Sequence, residues 1–382
     1  MMSMTRAGRI KRRAGRDPMD RTVSKTTGIE DTGCGKENRE SDFHAEIRAA
    51  FDSAERSVGG TMAHDYRIGA FTFRLCFAGP ALIPFITPAL EHLRTVHAVK
   101  TQLTVHLWDS ASTGSRLRLP SWLSDGTAPA GEIRSFLNGR LRVAFQPHCL
   151  ILSMLDMDRS QAFFWVKEAE YIPYYESGAP LLRIFHWWLR GHSYYLVHAA
   201  AVGLPDKAAL LVGRGGSGKS TIALSCLGSR LRYAADDYCV LSSEYVPTIY
   251  SLFNSAKQDA GNMWRFPHLA SAVNNPGRLE TEKALLFLQD KDPSSIARSF
   301  PLGHILIPRI TGKKDTVLAP ASPAEAFKAL APSTVFQLHD ADHSAFRMMA
   351  ELVRRVPCHY LDTGTDLSMI PRVIGDLLRV AG

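Results

Sequence analysis

The stretch "LLVGRGGSGKSTIALSCL" spans residues 210–227 and decides the fold class of the chain. It contains the phosphate-loop pattern G-x-x-x-x-G-K-[ST], with its defining residues at Gly213, Gly218, Lys219 and Ser220. The apolar run before the loop is typical of a buried strand, and the residues after it are typical of a helix. A strand, a glycine loop and a helix in this order predict an α/β domain whose ligand lies at the carboxyl ends of the strands.

The glycine loop predicts binding of a nucleotide phosphate. Glycines let the backbone turn so that its N–H groups point at an anion, and Lys219 adds a charge that can bridge the outer phosphates. Ser220 offers a hydroxyl to Mg²⁺. We therefore expect ATP and Mg²⁺ as the bound groups. The nucleotide-binding residues are predicted to be Gly213, Arg214, Gly215, Gly216, Ser217, Gly218, Lys219, Ser220 and Thr221.

The chain has 382 residues, which is long for one domain and predicts two folded units. Residues 1–42 are rich in charged residues and glycine, and we expect them to form a disordered basic tail. Residues 43–192 contain several polar–apolar alternations with some helical segments, and they predict a β-rich α+β accessory domain. Residues 193–382 contain the phosphate loop and form the second unit.

The composition is that of a soluble globular protein, with 45% hydrophobic and 21% charged residues. The net charge of +8 lies mostly in residues 1–16, where six cations and no acid leave 8 − 6 = +2 for the remainder. We interpret this segment as a solvated leader. Nucleic-acid binding by the tail is the less favoured alternative.

No segment has the properties of a membrane span or of a secretory signal. A spanning helix needs roughly 18 or more apolar residues, and no run approaches that length. No apolar segment follows the basic residues at the start of the chain. The six cysteines lack C-x-x-C spacing, which argues against a disulfide framework and against a zinc site. We therefore expect a cytoplasmic protein without a membrane partner.

A pair of acids, Asp236 and Asp237 in "AADDYCV", follows the loop by one helix. Phosphoryl transfer needs a carboxylate for Mg²⁺ and often a base for the proton of the attacking hydroxyl. Neighbouring residues of a strand face opposite ways, so the two acids are expected to have different tasks. Asp290, after the apolar run "ALLFLQ", is a rival metal ligand, and a solvated turn is the alternative for the pair.

Two further polar residues have apolar neighbours. His198 lies in the strand-like segment "YLVHAAAV", and such a histidine is by itself more often a hydrogen-bonded core residue than a catalyst. Asp109 follows Trp108 and is expected to form a turn or a cap rather than to act in catalysis.

Taken together, "LVHAAAVGLPDKAALLVGRGGSGKSTIALSCLGSRLRYAADDYCVL" (residues 196–241) resembles the C-terminal kinase domain of HPr kinase/phosphorylase. That family joins a strand with a histidine, an apolar strand, the phosphate loop, one helix and an Ala-Asp-Asp sequence. Its fold is related to that of phosphoenolpyruvate carboxykinase. The resemblance implies an α/β P-loop domain of this type and an ATP- and Mg²⁺-dependent kinase that phosphorylates a serine hydroxyl.

The resemblance also implies a role for each matching residue. Asp236 would be the general base on the acceptor serine, and His198 would lie near the acceptor and this acid. Lys219 would contact the phosphates, and Ser220 the Mg²⁺ ion. Asp237 would support the site as a second acid and metal ligand. Because the family tends to oligomerise, the resemblance further implies a homo-oligomer.

One segment departs from the family pattern. The family has a Mg²⁺-binding glutamate after the Asp pair, whereas "IYSLFNSAKQDAG" has no glutamate. Lys257 is the charge near the middle of this segment and would suit an anionic phosphate or acceptor. Arg309 in "HILIPRITG" is a second candidate for a substrate contact. The departure keeps another hypothesis open, a regulatory nucleotide-binding module with weak or no kinase activity.

Three short segments resemble one branch of the family. "SLFNSAK", "LAPST" and "VPCHYLDTG" are similar to segments of HPr-kinase-like proteins associated with peptide-modification gene clusters. Some of those proteins phosphorylate a serine of a small precursor peptide. This resemblance implies a peptide or small protein as the acceptor and a partner-recognition role for residues 43–192. A small-molecule kinase is the remaining alternative.

Overall fold

The structure is a computed structural model that describes residues 33–96, 100–120, 123, 140–242, 245–338 and 343–380. The first element is helix α1 (Gly33–Ser57). Residues 33–42, which we assigned to the disordered tail, belong to this helix. They include lysine, glutamate and arginine, which favour helix even without an apolar face. The rest of the predicted tail, residues 1–32, lies outside the described residues.

The first sheet is formed by six strands. They are β1 (Thr61–Ile68), β2 (Phe71–Ala78), β3 (Leu103–Asp109), β4 (Leu141–Gln146), β5 (Ile151–Asp156) and β6 (Gln161–Val166). Their order across the sheet is β1-β2-β3-β6-β5-β4. Strand β3 is parallel to both of its neighbours, and the remaining pairs are antiparallel.

Four further helices follow strands of the first sheet in the chain. They are α2 (Ile83–Ile86), α3 (Ser110–Thr113), α4 (Tyr174–Gly178) and α5 (Leu182–Arg190). Helix α1 packs Phe43, Ile47 and Phe51, spaced four residues apart, into one cluster with Trp108. Asp109 caps α3, because its side chain accepts a hydrogen bond from the backbone N–H of Ser112 at 2.8 Å. The predicted cap is confirmed.

The second sheet has nine strands. They are β7 (Tyr194–Val197), β8 (Ala199–Leu204), β9 (Lys207–Val212), β10 (Arg232–Ala235), β11 (Cys239–Ser242), β12 (Thr248–Ser251), β15 (Ser299–Ile310), β16 (Val317–Pro320) and β17 (Cys358–Thr363). Between them in the chain, β13 (Ser255–Gln258) and β14 (Ala284–Phe287) form a separate antiparallel pair.

Five helices accompany the second sheet in the described residues. They are α6 (Lys219–Ser225), α7 (Leu288–Lys291), α8 (Pro323–Gln337), α9 (His343–Arg355) and α10 (Met369–Arg379). The strand order is β10-β8-β9-β15-β12-β11-β7, and β17 joins β15 to β16. The result is a mixed α/β fold.

Parallel pairing positions the phosphate loop. Strand β15 is parallel to β9 on one side and to β17 on the other. Because parallel strands end at the same edge of a sheet, the loop that follows β9 lies beside Ile310, the last residue of β15. This is the edge at which α/β folds bind their ligands.

The two sheets share one apolar core. A single cluster of buried side chains joins Phe73, Leu75 and Phe185 from the first sheet and its helices to Val240 and Phe253 from the second part of the chain. Backbone contacts cross the same boundary, since Asn254 donates from its backbone N–H to the carbonyl of Ala89 at 2.9 Å. The two sheets therefore pack as one body.

Within the described residues, no helix combines the length and the apolar character that crossing a membrane requires.

Candidate active site

A pocket of about 860 Å³ lies at the carboxyl edge of β9 and β15. Residues 215–221 of the phosphate loop and of α6 form one wall. His198, Asp236, Asp237 and Lys257 also line it. The structure thus brings the loop and the predicted polar residues together around a single space.

Positive φ angles allow the loop to turn. Gly216 has φ +78° and Gly218 has φ +95°, a region that residues with a Cβ atom rarely adopt. Space is limiting at Gly213, where an added Cβ would lie 2.8 Å from the Oγ of Ser217. The backbone conformation therefore favours glycine at 216 and 218, and the close contact favours it at 213.

Lys219 is buried within the loop, with 6% of its surface exposed. Its Nζ donates to the carbonyl oxygen of Gly213 at 2.7 Å and to that of Arg214 at 3.3 Å. Burial lowers the pKa of Lys219, and the nearby charges of Asp237 and Asp236 partly offset this effect. The ammonium group of Lys219 is thus held against the backbone of the loop, whose N–H groups can face an anion.

Asp236 is nearly inaccessible, with 3% exposure. Its Oδ2 accepts a hydrogen bond from the backbone N–H of Lys257 at 2.9 Å. Among the residues that the structure describes, its Oδ1 meets no hydrogen-bond partner. Burial raises the pKa of Asp236 to about 6, aided by the charge of Asp237 and opposed by contacts from Lys257 and Ser220. A carboxylate with this pKa is suited to accept a proton near neutral pH.

Asp237 has the opposite character although it is the next residue. Its Oδ1 lies 2.9 Å from Nε2 of His198, and its Oδ2 lies 2.8 Å from Nζ of Lys257. Burial by itself would raise the pKa of Asp237. The charge of Lys257 and the hydrogen bond with His198 outweigh burial and hold the pKa well below its usual range. Asp237 is therefore an anion clamped between two nitrogen groups.

His198 is also buried, with 6% exposure. Its Nδ1 contacts the hydroxyl of Ser333, and its backbone N–H donates to Oγ1 of Thr334 at 3.2 Å. Ser333 in turn donates to the carbonyl of Gly213 at 3.1 Å. His198 is hydrogen-bonded, as expected of a core histidine, but its partners include Asp237 of the acid pair and Ser333, which itself donates to the phosphate loop.

The opposite wall of the pocket comes from the first part of the chain. Gln146, at the end of β4, donates from Nε2 to Oε1 of Glu176 at 2.7 Å. His148 Nε2 lies 2.7 Å from the hydroxyl oxygen of Tyr175. Burial raises the pKa of Glu176. This polar wall also includes Arg183, and it lines the same pocket as the acid pair.

Several predicted site residues lie outside the pocket lining. Gly213 and Arg214 are at the start of the loop, behind the residues that face the cavity. Arg309 pairs with Asp362 at 2.5 Å and stacks over Tyr360, so its assignment as a substrate contact is not supported. Neighbouring residues of a strand face opposite ways. Ile310 lines the pocket, so the side chain of Arg309 lies on the other face of β15.

The rival acid Asp290 is exposed on α7 and does not line the pocket. Lys257 does line the pocket, where it is the ion-pair partner of Asp237. We expected Lys257 to contact an anionic phosphate or acceptor. In the structure its contact is a carboxylate of the protein itself, that of Asp237. Burial would lower the pKa of Lys257, but Asp237 more than compensates and raises it.

Sequence reasoning missed Ser333, which contacts His198, and several residues that line the pocket. Ser333 belongs to the "LAPST" segment that we matched to relatives, so a signal for it was present but was not assigned to the site. Glu176 and Gln146 belong to no motif. The phosphate side also includes Gln258, whose Nε2 donates to Oγ1 of Thr221 at 3.2 Å. Further lining residues without a sequence signal are Asn262, Arg265 and Lys283.

Comparison with known proteins gives little support from homology. No protein-family model matches the chain, and no curated protein matches it. Among solved structures, the Hpr(Ser) kinase/phosphatase from Coxiella burnetii is similar with a TM-score of 0.27 and 9% sequence identity. That match covers 48% of this chain and 93% of the other. A TM-score this low carries no argument about fold or function, so the functional argument rests on the site itself.

Proposed function

We propose that the chain is an ATP- and Mg²⁺-dependent kinase of the HPr kinase type, which transfers a phosphoryl group to a serine hydroxyl of a peptide or small protein. The observation that carries this proposal is the pairing of a phosphate loop with a buried carboxyl group in the same pocket. The pKa of that group, Asp236, is raised to about 6. A loop alone would support nucleotide binding, whereas a poised base beside it supports transfer to a hydroxyl.

In the proposed reaction the acceptor hydroxyl attacks the terminal phosphorus atom of ATP. Its oxygen forms the new O–P bond while the bond from that phosphorus to the bridging oxygen of ADP breaks. Asp236 takes the hydroxyl proton, since its raised pKa suits it to act as a base near neutral pH. Lys219 lies where its charge can stabilise the oxygens of the transferred group.

The oxygen donors present fit a magnesium ion. Ser220 contributes a hydroxyl, and Asp237 stays ionised because its pKa is well below its usual range. Each carboxylate oxygen has two acceptor sites, so the bonds to His198 and Lys257 leave capacity on Asp237. The described residues contain no cluster of three or more His, Cys, Asp or Glu side chains that could hold a metal. Mg²⁺ commonly takes one or two protein oxygens and completes its shell with phosphates and water. When bound, Mg²⁺ would neutralise charge on the phosphates.

The polar wall formed by Gln146, His148, Tyr175, Glu176 and Arg183 supports an acceptor site opposite the loop. These side chains offer amide, imidazole, phenol, carboxyl and guanidinium groups, which suit the backbone and side chains of a peptide. In this proposal the first part of the chain recognises the partner by forming half of the pocket.

A regulatory nucleotide-binding module is the second candidate. The observation that favours it is the position of Lys257 on β13, within the segment that lacks a glutamate. Its ammonium group is paired with Asp237. Such a module would bind nucleotide and transfer no phosphate.

The decisive experiment measures transfer of label from γ-labelled ATP to candidate peptides, including those encoded near this gene. Asp236→Asn is expected to lower the transfer rate by about 10²–10⁴-fold, the usual share of a general base. Asp290→Asn removes an exposed acid outside the pocket and serves as the matched control with an unchanged rate. Nucleotide binding without transfer to any hydroxyl acceptor would support the regulatory module instead.

A further inference from the structure

Arg265 lines the pocket that contains the phosphate loop, and its guanidinium group has no protein partner among the described residues. It is the last residue of a 3₁₀-helix, Ala260–Arg265, and it is partly buried. A guanidinium group carries a full charge and five N–H donors. Because these donors have no acceptor in the described part of the protein, the position suits an anionic group of a ligand.

The next arginine along the chain has the more usual surroundings. Arg278, the last residue of a second 3₁₀-helix, Pro276–Arg278, is exposed and pairs through Nη1 with Oε1 of Glu282 at 3.3 Å. It does not line the pocket. The surface arginine is therefore paired with a carboxylate of the protein, whereas the charge of Arg265 is available to a ligand.

Packing fixes Arg265 relative to the phosphate loop. Asn262 and Arg265 are three residues apart, which places both on one side of a 3₁₀-helix, and both line the pocket. Phe266, the following residue, is buried in one apolar cluster with Ile222 of α6 and Leu286 of β14. Because α6 begins at the loop, this cluster connects the segment with Arg265 to the helix that follows the loop.

Lys283 is a second cation that lines the pocket. It precedes β14, and its Nζ lies 3.6 Å from Oδ1 of Asp259, with half or more of both side chains exposed. Exposed ion pairs contribute little, so the ammonium group remains available to a ligand. The adjacent residue, Ala284, pairs with Gln258, which donates to Thr221 of α6 at 3.2 Å. The two strands thus bring Lys283 to the side of the pocket where α6 begins.

Two cations of this region contact no carboxylate among the described residues. Lys219 donates to backbone carbonyl oxygens, and Arg265 has no partner there. Lys257 differs, since a carboxylate oxygen of Asp237 lies 2.8 Å from its Nζ. The triphosphate of a nucleotide is a polyanion, and arginine can bind phosphate oxygens through two parallel hydrogen bonds. Phosphate is therefore the ligand chemistry that matches this side of the pocket.

We propose that Arg265 and Lys283 bind the phosphates of the nucleotide, with Arg265 as the stronger contact. They extend phosphate binding beyond the loop, from segments that carry no sequence motif. They lie on the side of Thr221, which belongs to the predicted nucleotide-binding residues, and not on the wall from the first part of the chain. The inference rests on the nucleotide-binding part of the proposed function, which the kinase and the regulatory module share.

The experiment measures the affinity of the full chain for a non-hydrolysable ATP analogue and for pyrophosphate by calorimetry, at constant Mg²⁺. Arg265→Ala is expected to weaken both ligands by about tenfold to a hundredfold, the effect of losing hydrogen bonds to a charged group. Lys283→Met should weaken them by about twofold to fivefold, since its charge is exposed and screened. Pyrophosphate is the second probe because it has no base or ribose.

Two further variants keep the result interpretable. Arg265→Lys keeps the charge without the forked donors, and we expect a loss of affinity between those of the unaltered protein and Arg265→Ala. It also serves where Arg265→Ala does not fold. Arg278→Ala removes the paired surface arginine outside the pocket and should leave both affinities unchanged.

The outcomes separate this inference from the kinase proposal. Unchanged affinity for both ligands in Arg265→Ala and Arg265→Lys would overturn the phosphate contact, as would a loss confined to the ATP analogue, which indicates the base or ribose. A higher acceptor KM with unchanged nucleotide affinity would assign Arg265 to the acceptor and would overturn it too. Nucleotide binding without transfer to any hydroxyl would overturn the kinase proposal alone, since the affinities of the variants would still decide the role of Arg265.

Discussion

The two walls of the pocket are constructed in different ways. The phosphate wall is one continuous segment, residues 215–221, held between a buried strand and a helix. The opposite wall is assembled from side chains far apart in the sequence, with Gln146 and Glu176 in contact across 30 positions. Under the proposed function, phosphate binding by this loop is a local property of the chain, whereas acceptor recognition depends on how both sheets pack. Changes on the two walls should therefore affect different steps.

The largest effect is expected on the phosphate wall. Lys219→Met keeps the length of the side chain but removes the charge, and we expect the transfer rate to fall by about 10²–10³-fold, the usual cost of removing one donor that stabilises transition-state charge. The measurement is kcat/KM for ATP. Lys291→Met, on the surface, should leave this value unchanged. A loss of acceptor affinity alone in Lys219→Met would contradict the assignment of this wall to the nucleotide.

The pH dependence tests the base that lies between the walls. Because the pKa of Asp236 is raised to about 6, the group is protonated below that pH and cannot take the hydroxyl proton. The transfer rate should therefore fall up to tenfold per pH unit below about pH 6 and level off above it. The measurement is kcat/KM from pH 5 to pH 8, with circular dichroism as a check on folding. A rate that does not change over this range would exclude Asp236 as the base.

A smaller effect is expected on the acceptor wall. Gln146→Ala removes the donor to Glu176 and should raise the KM for the acceptor by about threefold to tenfold, the value of one hydrogen bond. The affinity for nucleotide should not change. Gln161→Ala, at the start of β6 and away from the pocket, is the matched control. If Gln146→Ala weakens ATP and acceptor equally, the two walls do not have separate roles.

The smallest effect is expected for Arg309, which pairs with Asp362 outside the pocket. Arg309→Ala should change kcat and the acceptor KM by no more than about twofold, as is usual for surface substitutions. A large increase in the acceptor KM would show that the acceptor extends beyond the pocket and over this surface.

The phosphate wall could be predicted from the sequence because its requirements are local. The loop needs glycine where φ is positive, as at Gly216 and Gly218, and it needs a lysine and a hydroxyl at fixed spacing. The cap formed by Asp109 was predictable for the same reason, since it depends on the residues that follow within one turn.

The opposite wall could not be predicted in this way. Glu176 and Gln146 form a site only because β4 and α4 are brought together by the sheet, and nothing in their neighbourhood in the sequence indicates a partner. Arg309 illustrates a different limit of sequence reasoning, since the structure places it outside the pocket, in an ion pair with Asp362. Its charge suggested a substrate contact, but the alternation of β15 turns it away from the pocket while Ile310 faces inward.

The opposite pKa shifts of Asp236 and Asp237 could not be predicted from the sequence. Alternation along a strand predicts different surroundings for neighbouring acids. It does not predict that His198 and Lys257 would both bind Asp237, or that Asp236 would keep one oxygen unpaired among the described residues. These contacts depend on β13 and on His198, which lies at the bend between β7 and β8 rather than within the single strand that we predicted.

The apolar cluster common to both sheets limits how this protein can acquire a new acceptor. Phe253 and Phe185 belong to the same buried group, so a chimaera with a foreign first sheet would leave half of that group facing water. We expect such exchanges to give insoluble protein. Under the proposed function, a new acceptor preference would instead be reached by successive single substitutions on the acceptor wall, with the two sheets inherited together.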